Sequence, residues 1–396
     1  MLKKLSVDQL QVDGKKVFLR VDFNVPLDDR QRVTDDTRLE AALPTIRCLL
    51  EGGARLALAS HLGRPKGKRI PELSLRPVAA RLAELLGRDV GFVEDCVGEP
   101  VAAAMAALAP GAVLLLENLR YHEGETKNDP EFSAALAAGF DEYANDAFGT
   151  AHRAHASNVG LTTHFPRAAC GFLMKKEIDY LGNAVANPQR PFVALLGGAK
   201  VSDKIPVVEN LLPKLDALLI GGGMAYTFLK ALGHEIGNSL LDGEHLDLTR
   251  NLMRRAKENG VKVFLPVDHV GAESLEAASG STTVEAMDIP EELMGLDIGP
   301  ATVKQFSDQL ATAGTIVWNG PMGVFEKEAF AAGTLAVGRA VADSEAISIV
   351  GGGDSVAAVA KAGVTDRITH ISTGGGASLE YLSGKVLPGV DALTDA

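Results

Sequence analysis

Lys16-Val17-Phe18-Leu19-Arg20-Val21-Asp22-Phe23-Asn24-Val25-Pro26 is an apolar run that passes into polar groups and stops at a proline. It reads as a buried strand with chemistry at its carboxyl end. The same plan returns at Arg55 to Ser60 followed by His61-Leu62-Gly63-Arg64-Pro65, and at Val113 to Leu116 followed by Glu117-Asn118-Leu119-Arg120. A fourth instance is Asn145-Asp146-Ala147-Phe148-Gly149-Thr150-Ala151-His152-Arg153-Ala154-His155. In an open parallel sheet, ligands bind outside the carboxyl ends of the strands, so groups distant in sequence could meet there. Several guanidiniums at one sheet edge point to a phosphate or a carboxylate.

The second half places glycine where the first places cations. Phe192 to Leu196 runs into Gly197-Gly198-Ala199-Lys200-Val201-Ser202-Asp203-Lys204, and Ala217 to Ile220 into Gly221-Gly222-Gly223. Ile316-Val317-Trp318 leads to Asn319-Gly320-Pro321-Met322-Gly323-Val324-Phe325-Glu326. Ile347 to Val350 leads to Gly351-Gly352-Gly353-Asp354-Ser355, and Ile371-Ser372-Thr373 to Gly374-Gly375-Gly376. Glycine lets backbone approach a ligand, and a helix that starts there aims free N–H groups at an anion. One such turn alone is the ordinary punctuation of an α/β fold. Five together favour a polyphosphate.

A chain of 396 residues exceeds the usual single core, so two domains of roughly 150 to 200 residues are expected. The net charge of −12 argues against non-specific binding to nucleic acid or an anionic membrane. A single tryptophan and five tyrosines offer little surface for stacking bases. The acidic excess falls mostly after residue 170, leaving the arginine-bearing part nearly balanced. Cys48, Cys96 and Cys170 are odd in number, far apart and set among apolar residues, which fits core positions in a reducing cytosol better than disulfides or zinc. No secretory signal is expected at the start, no apolar run reaches the length of a membrane span, and a cytoplasmic location is anticipated.

Phe172 to Leu181 has helical spacing, and Asn187-Pro188-Gln189-Arg190-Pro191 breaks it, which makes a plausible connector between halves. Alanine-rich stretches at Val78 to Leu86, Val101 to Leu108 and Phe330 to Ala342 read as further helices. Strands alternating with helices imply parallel sheets with right-handed crossovers. The expected fold class is α/β: two doubly wound, Rossmann-like parallel-sheet domains joined by a hinge helix. The expected boundaries are residues 1–172 for the first domain, 173–186 for the connector and 187–376 for the second. Residues 377–396 are expected to pack back on the first.

The familiar nucleotide fingerprints are missing. There is no Gly-x-x-x-x-Gly-Lys-Ser/Thr loop, no His-Arg-Asp with Asp-Phe-Gly, and no Gly-x-Gly-x-x-Gly turn opening a first crossover helix. P-loop enzymes, protein kinases and dinucleotide dehydrogenases are thereby disfavoured. A non-catalytic sensor of phosphorylated metabolites would keep the arginines but has no use for the lysine pair and the aspartate turn.

In order along nearly the whole chain, Lys16 to Pro26, Ser60 to Pro65, Leu116 to Tyr121, Asn145 to His155, Gly197 to Lys204, Trp318 to Glu326 and Gly351 to Ser355 resemble the phosphoglycerate kinase family. The resemblance implies reversible phosphoryl transfer, ATP + 3-phosphoglycerate to ADP + 1,3-bisphosphoglycerate, in glycolysis and gluconeogenesis. It implies a triose-phosphate domain first, a nucleotide domain second, Mg2+ as cofactor with ATP or ADP, hinge bending, small-molecule partners only and a monomer. By the same resemblance Asp22, Phe23, Asn24, Arg38, His61, Leu62, Gly63, Arg64, Arg120 and Arg153 bind the phosphoglycerate, with Arg38 nearest the transferring group. Gly198, Lys204, Gly222, Gly299, Asn319, Glu326, Gly352, Gly353, Asp354 and Ser355 hold the nucleotide, Asp354 being linked to the metal. Lys200, Lys204, Arg38 and the N–H of Gly375 with its neighbours Gly374 and Gly376 serve the phosphoryl in flight. On residues alone, Arg38 would pass for a solvated surface arginine, and Lys200 with Lys204, one helical turn apart, for exposed helix charges.

No general base stands among these residues, and the implied reaction needs none. The nucleophile is a carboxylate, ionised at neutral pH, so direct in-line transfer without a phosphoenzyme rests on positioning and charge neutralisation. His152 and His155 form a His-x-x-His pair, but without further ligands nearby it is a poor zinc site.

Overall fold

The computed structural model describes residues 3–277 and 280–396. The chain separates into two compact units, Met1–Asp179 with Val386–Ala396, and Tyr180–Lys385.

In the first unit, Lys16–Arg20 (β1), Arg55–Ala59 (β2), Val90–Val93 (β3), Val113–Leu116 (β4), Glu142–Asn145 (β5) and Ala168–Cys170 (β6) form one sheet in the order β3-β4-β2-β1-β5-β6. Neighbours pair in parallel. Helices on both faces explain why β1, β2 and β4 are buried without alternation, and why their sequences are near-continuous apolar runs. Arg20 stands opposite Ala59 on one side and Asn145 on the other, so β1, β2 and β5 end at one level. Val21 N–H donates to Ala59 O and Asp146 N–H to Arg20 O, which starts the loops after all three strands at a common edge. The helix Arg76–Leu86 shows local rules at work: Pro77 sits in its first turn, and Gly87 ends it at φ 66°.

In the second unit, Phe192–Leu196 (β7), Ala217–Ile220 (β8), Lys262–Phe264 (β9), His269–Ala272 (β10), Thr282–Val284 (β11), Met294–Ile298 (β12), Thr315–Asn319 (β13), Ile347–Gly351 (β14) and His370–Ile371 (β15) make two sheets. The larger is parallel, in the order β15-β14-β13-β7-β8-β9. Chain order reverses between β7 and β13, and such a reversal opens a crevice at the carboxyl ends of the two strands. Leu196, Asn319 and Gly351 share one register level, so the glycine turns after β7, β13 and β14 start side by side. Trp318, fully buried, anchors the core beneath them with Phe306, Val337 and Val350.

The smaller sheet, β11-β10-β12, is antiparallel and was not anticipated. Its strands are three to five residues long and β11 is largely exposed, so no sustained apolar run advertises it. The helix expected from Phe172 extends to Ala186, just before Asn187-Pro188. Near the C-terminus, Thr394 O accepts from Leu5 N–H, and Lys4 Nζ donates to Leu393 O and pairs with Asp395. Among the described residues, no helix is long and apolar enough to cross a membrane.

Candidate functional site

At the carboxyl edge of the first sheet, Asp22 is fixed by Arg38, whose Nη1 donates to Oδ2 at 2.9 Å and to Asn24 O at 3.3 Å. A helix delivers Arg38 to this place: Thr37–Glu51 begins one residue before it. The Asn24 side chain accepts from Gly63 N–H at 2.8 Å, so the loop after β1 holds the loop after β2. Asn118, after β4, clamps the same loop by accepting from Leu62 N–H and donating to Leu62 O. Arg120 Nη1 donates to Gly63 O at 2.8 Å. Four separate pieces of sequence are thus tied together before any ligand arrives.

Three of the residues assigned to the phosphoglycerate are part of this scaffold. Phe23 is buried in the core, its N–H donating to Ser60 Oγ and its carbonyl accepting from Val25 N–H. Leu62 has both backbone groups engaged by Asn118, and Gly63 has its N–H and carbonyl taken by Asn24 and Arg120.

A cavity of about 530 Å³ is lined by Arg64, Arg120 and Arg153, together with Lys66, Lys127, His155, Gly67, Glu123 and Thr126. Burial and the neighbouring guanidiniums of Arg20 and Arg153 lower the Arg120 pKa to about 10, still charged at neutral pH. His61, 4% exposed, is held well below its ordinary value, first by burial and then by Arg20, Arg120 and Arg38. His155 is pushed down to about 3 by burial, Arg20, Arg120 and Arg153. Both imidazoles are therefore neutral. Arg20 Nη2 lies 3.3 Å from His61 Nδ1, and since a guanidinium can only donate, Nδ1 accepts and the proton of His61 sits on Nε2. A field this positive repels a cation at His152 and His155 and suits an anion.

Sequence reading passed over Arg20, taken as part of an apolar strand. Its guanidinium is fully buried, bonded to Ser157 Oγ at 2.8 Å and to Val21 O, and 3.9 Å from the fully buried Glu125. Glu125 accepts from the Ser157 N–H and hydroxyl and so fixes the loop that carries Arg153 and His155. The available signal was a charge inside an apolar run, which burial makes expensive unless it is partnered.

In the second unit the glycine turns divide into two kinds. Gly197 N–H donates to Asn319 O, Gly198 N–H to Pro321 O, Gly222 N–H to Met322 O and Met224 N–H to Gly198 O. These turns spend their hydrogen bonds on one another and interlock across the switch point. Gly320, at φ 98°, is hemmed in: a Cβ there would collide with the Gly197 carbonyl. At Gly353 and Gly376, by contrast, a Cβ would meet nothing within 4 Å. Each of these two glycines opens a helix, Gly353–Lys361 and Gly376–Leu382, whose first-turn N–H groups have no intrahelical acceptor.

Several assigned residues sit differently from expectation. Lys200 and Lys204 are not one helical turn apart, because Val201 to Lys204 is a turn and the helix Ile205–Leu211 starts only at Ile205. Lys204 caps that helix, is half-buried, and bonds Asn319 Oδ1; burial lowers its pKa, while Asp203 and Asp354 oppose the fall. Lys200 and Glu326 are exposed loop residues. Ser355 is fully buried and its Oγ accepts from Gly320 N–H at 2.6 Å, so the hydroxyl braces the turn. Gly299 precedes the helix Pro300–Leu310, but Asp268 already accepts from Ala301 and Thr302 N–H there, and a Cβ on Gly299 would strike that carboxylate. Asn319 is brought to Gly351 O at 2.8 Å, next to exposed Asp354 in the first turn of its helix.

Comparison with known proteins places this arrangement. The family model described as "Phosphoglycerate kinase" matches residues 7–385. The chain is 58% identical to the phosphoglycerate kinase of Koribacter versatilis over 402 residues, all of both chains, and 58% identical to that of Moorella thermoacetica over 394 residues, again all of both. Among solved structures, the phosphoglycerate kinase of Coxiella burnetii superposes with a TM-score of 0.91 at 44% identity, covering 98% of each chain. That of Pyrococcus horikoshii gives 0.81 at 36% identity, also over 98% of each.

Proposed function

This chain belongs to the phosphoglycerate kinase family, and from that premise we propose how its two units share the reaction. The activity that follows from the family is transfer of a phosphoryl group between ATP and the carboxylate of 3-phosphoglycerate, a glycolytic step. The first unit takes the phosphoglycerate, with Arg64, Arg120 and Arg153 on the phosphate, and Asp22, Asn24, His61 and Arg38 on the hydroxy-acid end. What supports this most is the preformed cationic cavity, with His155 in its lining, and His61 held beside Arg20 and Asp22. His61 offers a single Nε2–H donor, its Nδ1 facing the Arg20 guanidinium.

The second unit takes the nucleotide, phosphates toward Lys204, Asn319 and the helix start at Gly353. Lys200, Glu326 and the Gly374 to Gly376 turn complete that site. Asp354 is an exposed hard-oxygen donor beside free helix N–H groups, which fits magnesium carried in with the nucleotide. Bound there, the ion would offset charge on the polyphosphate. The residues themselves orient and neutralise: Lys204 meets equatorial oxygens, and Arg38 meets the group as it reaches the acceptor carboxylate.

The acceptor is already ionised, so no side chain moves a proton. Water must be kept from an acyl phosphate, so the two ligands react only after the units close on them, with the helix Phe172–Ala186 and the Ser372 to Gly376 turn as bending points. The working form is a cytoplasmic monomer with small-molecule partners and none of nucleic acid. Small-angle scattering should record a smaller radius with both ligands than with neither, and equal radii would sink the closure. The division of labour is tested by Asp354→Asn in an ATP, magnesium and 3-phosphoglycerate assay coupled to a dehydrogenase. The KM for magnesium nucleotide should rise about tenfold or more, with the KM for 3-phosphoglycerate near wild type. Equal losses for both substrates would overturn the assignment.

A further inference from the structure

Asp95, Cys96 and His122 bring a carboxylate oxygen, a sulfur and an imidazole nitrogen within 4.8 Å of one another. They lie at the end of β3 and just past Arg120, and none lines the cationic cavity. His122 Nε2 is 2.7 Å from Asp95 Oδ1, which also accepts from Cys96 N–H at 2.7 Å. The other carboxylate oxygen is held by Arg69 at 2.8 Å. The His122 ring stacks on Phe132 at 5.1 Å between centroids and 24° between planes, so its orientation is fixed. Cys96 is 2% exposed, whereas Asp95 and His122 keep about a quarter and a third of their side-chain surface, which leaves one side of the trio open to solvent.

We propose that this trio is a binding site for a borderline-soft divalent cation, zinc being the natural occupant. One sulfur, one nitrogen and one oxygen donor suit zinc and disfavour magnesium or calcium, which take oxygen ligands. Zinc bonds of about 2.0 to 2.3 Å require donor separations of about 3.3 to 3.8 Å. Asp95 and His122, 2.7 Å apart, must part slightly, and the Cys96 sulfur, within 4.8 Å of both, must draw in by up to about an ångström, movements within reach of side-chain rotation. On binding, the thiol proton leaves to solvent, the His122 proton moves from Nε2 to Nδ1, and water completes the tetrahedron. No electron changes hands. Arg69 on the second carboxylate oxygen and Phe132 against the ring act as the outer shell that holds ligands in place. The site belongs to the first unit, separate from the magnesium nucleotide proposed for Asp354 in the second.

Cobalt(II) titrated into the metal-free full chain is the probe, because a thiolate-bound tetrahedral cobalt gives a near-ultraviolet charge-transfer band and strong visible bands. One ion per chain should bind, and zinc should displace it. Cys96→Ser should abolish the charge-transfer band, and Arg69→Ala should weaken zinc about 10- to 100-fold. No band in the wild-type chain, or a band that survives Cys96→Ser and so belongs to Cys48 or Cys170, overturns the proposal. If Cys96→Ser does not fold, the partly exposed His122→Ala decides. Zinc affinity must fall at least about tenfold, and unchanged affinity sinks the site.

Discussion

The two proposed sites differ in what they would offer an anion. The first uses guanidiniums, which are long and flexible and must be held: Arg38 by Asp22, Arg120 by Gly63 O, Arg20 by Ser157 and Glu125. The second uses backbone, whose position is set by interlocking turns at Gly197, Gly222 and Gly320. Damage should therefore spread differently. A lost side chain in the first unit removes one contact, while a methyl group in the wrong turn of the second dislocates the whole switch point.

Gly320→Ala is the sharpest form of that contrast. Its φ of 98° and the Gly197 carbonyl in the path of a Cβ leave no unstrained solution. We expect a loss of more than about 3 kcal/mol in denaturant unfolding, with nucleotide binding lost in step. Gly353→Ala meets nothing and should keep stability within about 0.5 kcal/mol, so any rise in nucleotide KM there reports the ligand and not the fold. If the two variants are equally unstable, the distinction between bracing and ligand-facing glycines is wrong.

Arg38→Ala comes next, and tests the first unit's side of the comparison. Losing one donor to transition-state charge should lower kcat by about 10² to 10³. The fold should hold, since Arg38 is about a third exposed and its partner Asp22 retains access to solvent. A variant that keeps most of its turnover would remove Arg38 from the chemistry.

The sheets were legible because strands buried on both faces declare themselves as apolar runs, and the loops that carry chemistry follow directly at their ends. The antiparallel strands β10 to β12 were not, being short and partly exposed. Within the cationic cavity, residue type announced the lining, as with Arg64, Arg120 and Arg153. It did not disclose where a residue also serves a neighbour. Ser355 braces Gly320, and Gly299 makes room for Asp268, which occupies the helix start that an incoming anion would need. Buried partners left no trace in sequence at all: nothing distinguishes Glu125 from a surface glutamate until its burial against Arg20 and Ser157 is seen.

The smallest effect concerns acid stability and follows from the neutral histidines. His155 titrates near 3 in the folded chain, driven down by burial, Arg20, Arg120, Arg153 and His152, with Glu125 3.7 Å away on the opposing side. The unfolded chain would protonate it near pH 6.5. Its contribution is therefore complete above about pH 6.5 and is lost as pH falls toward 3, at up to about 1.4 kcal/mol per pH unit. Asp146, raised to about 6 by burial, and Asp297, raised to about 7, pull the other way: each becomes costly as pH climbs from about 4 to its folded value. The net slope of the wild type mixes these, so the useful quantity is the difference between wild type and His155→Gln. That difference should shrink by about 1 kcal/mol between pH 6.5 and 5.5 in urea melts. A constant difference across the range would mean that His155 titrates in the fold as it does in the unfolded chain, and that the cationic wall is weaker than the guanidinium geometry demands.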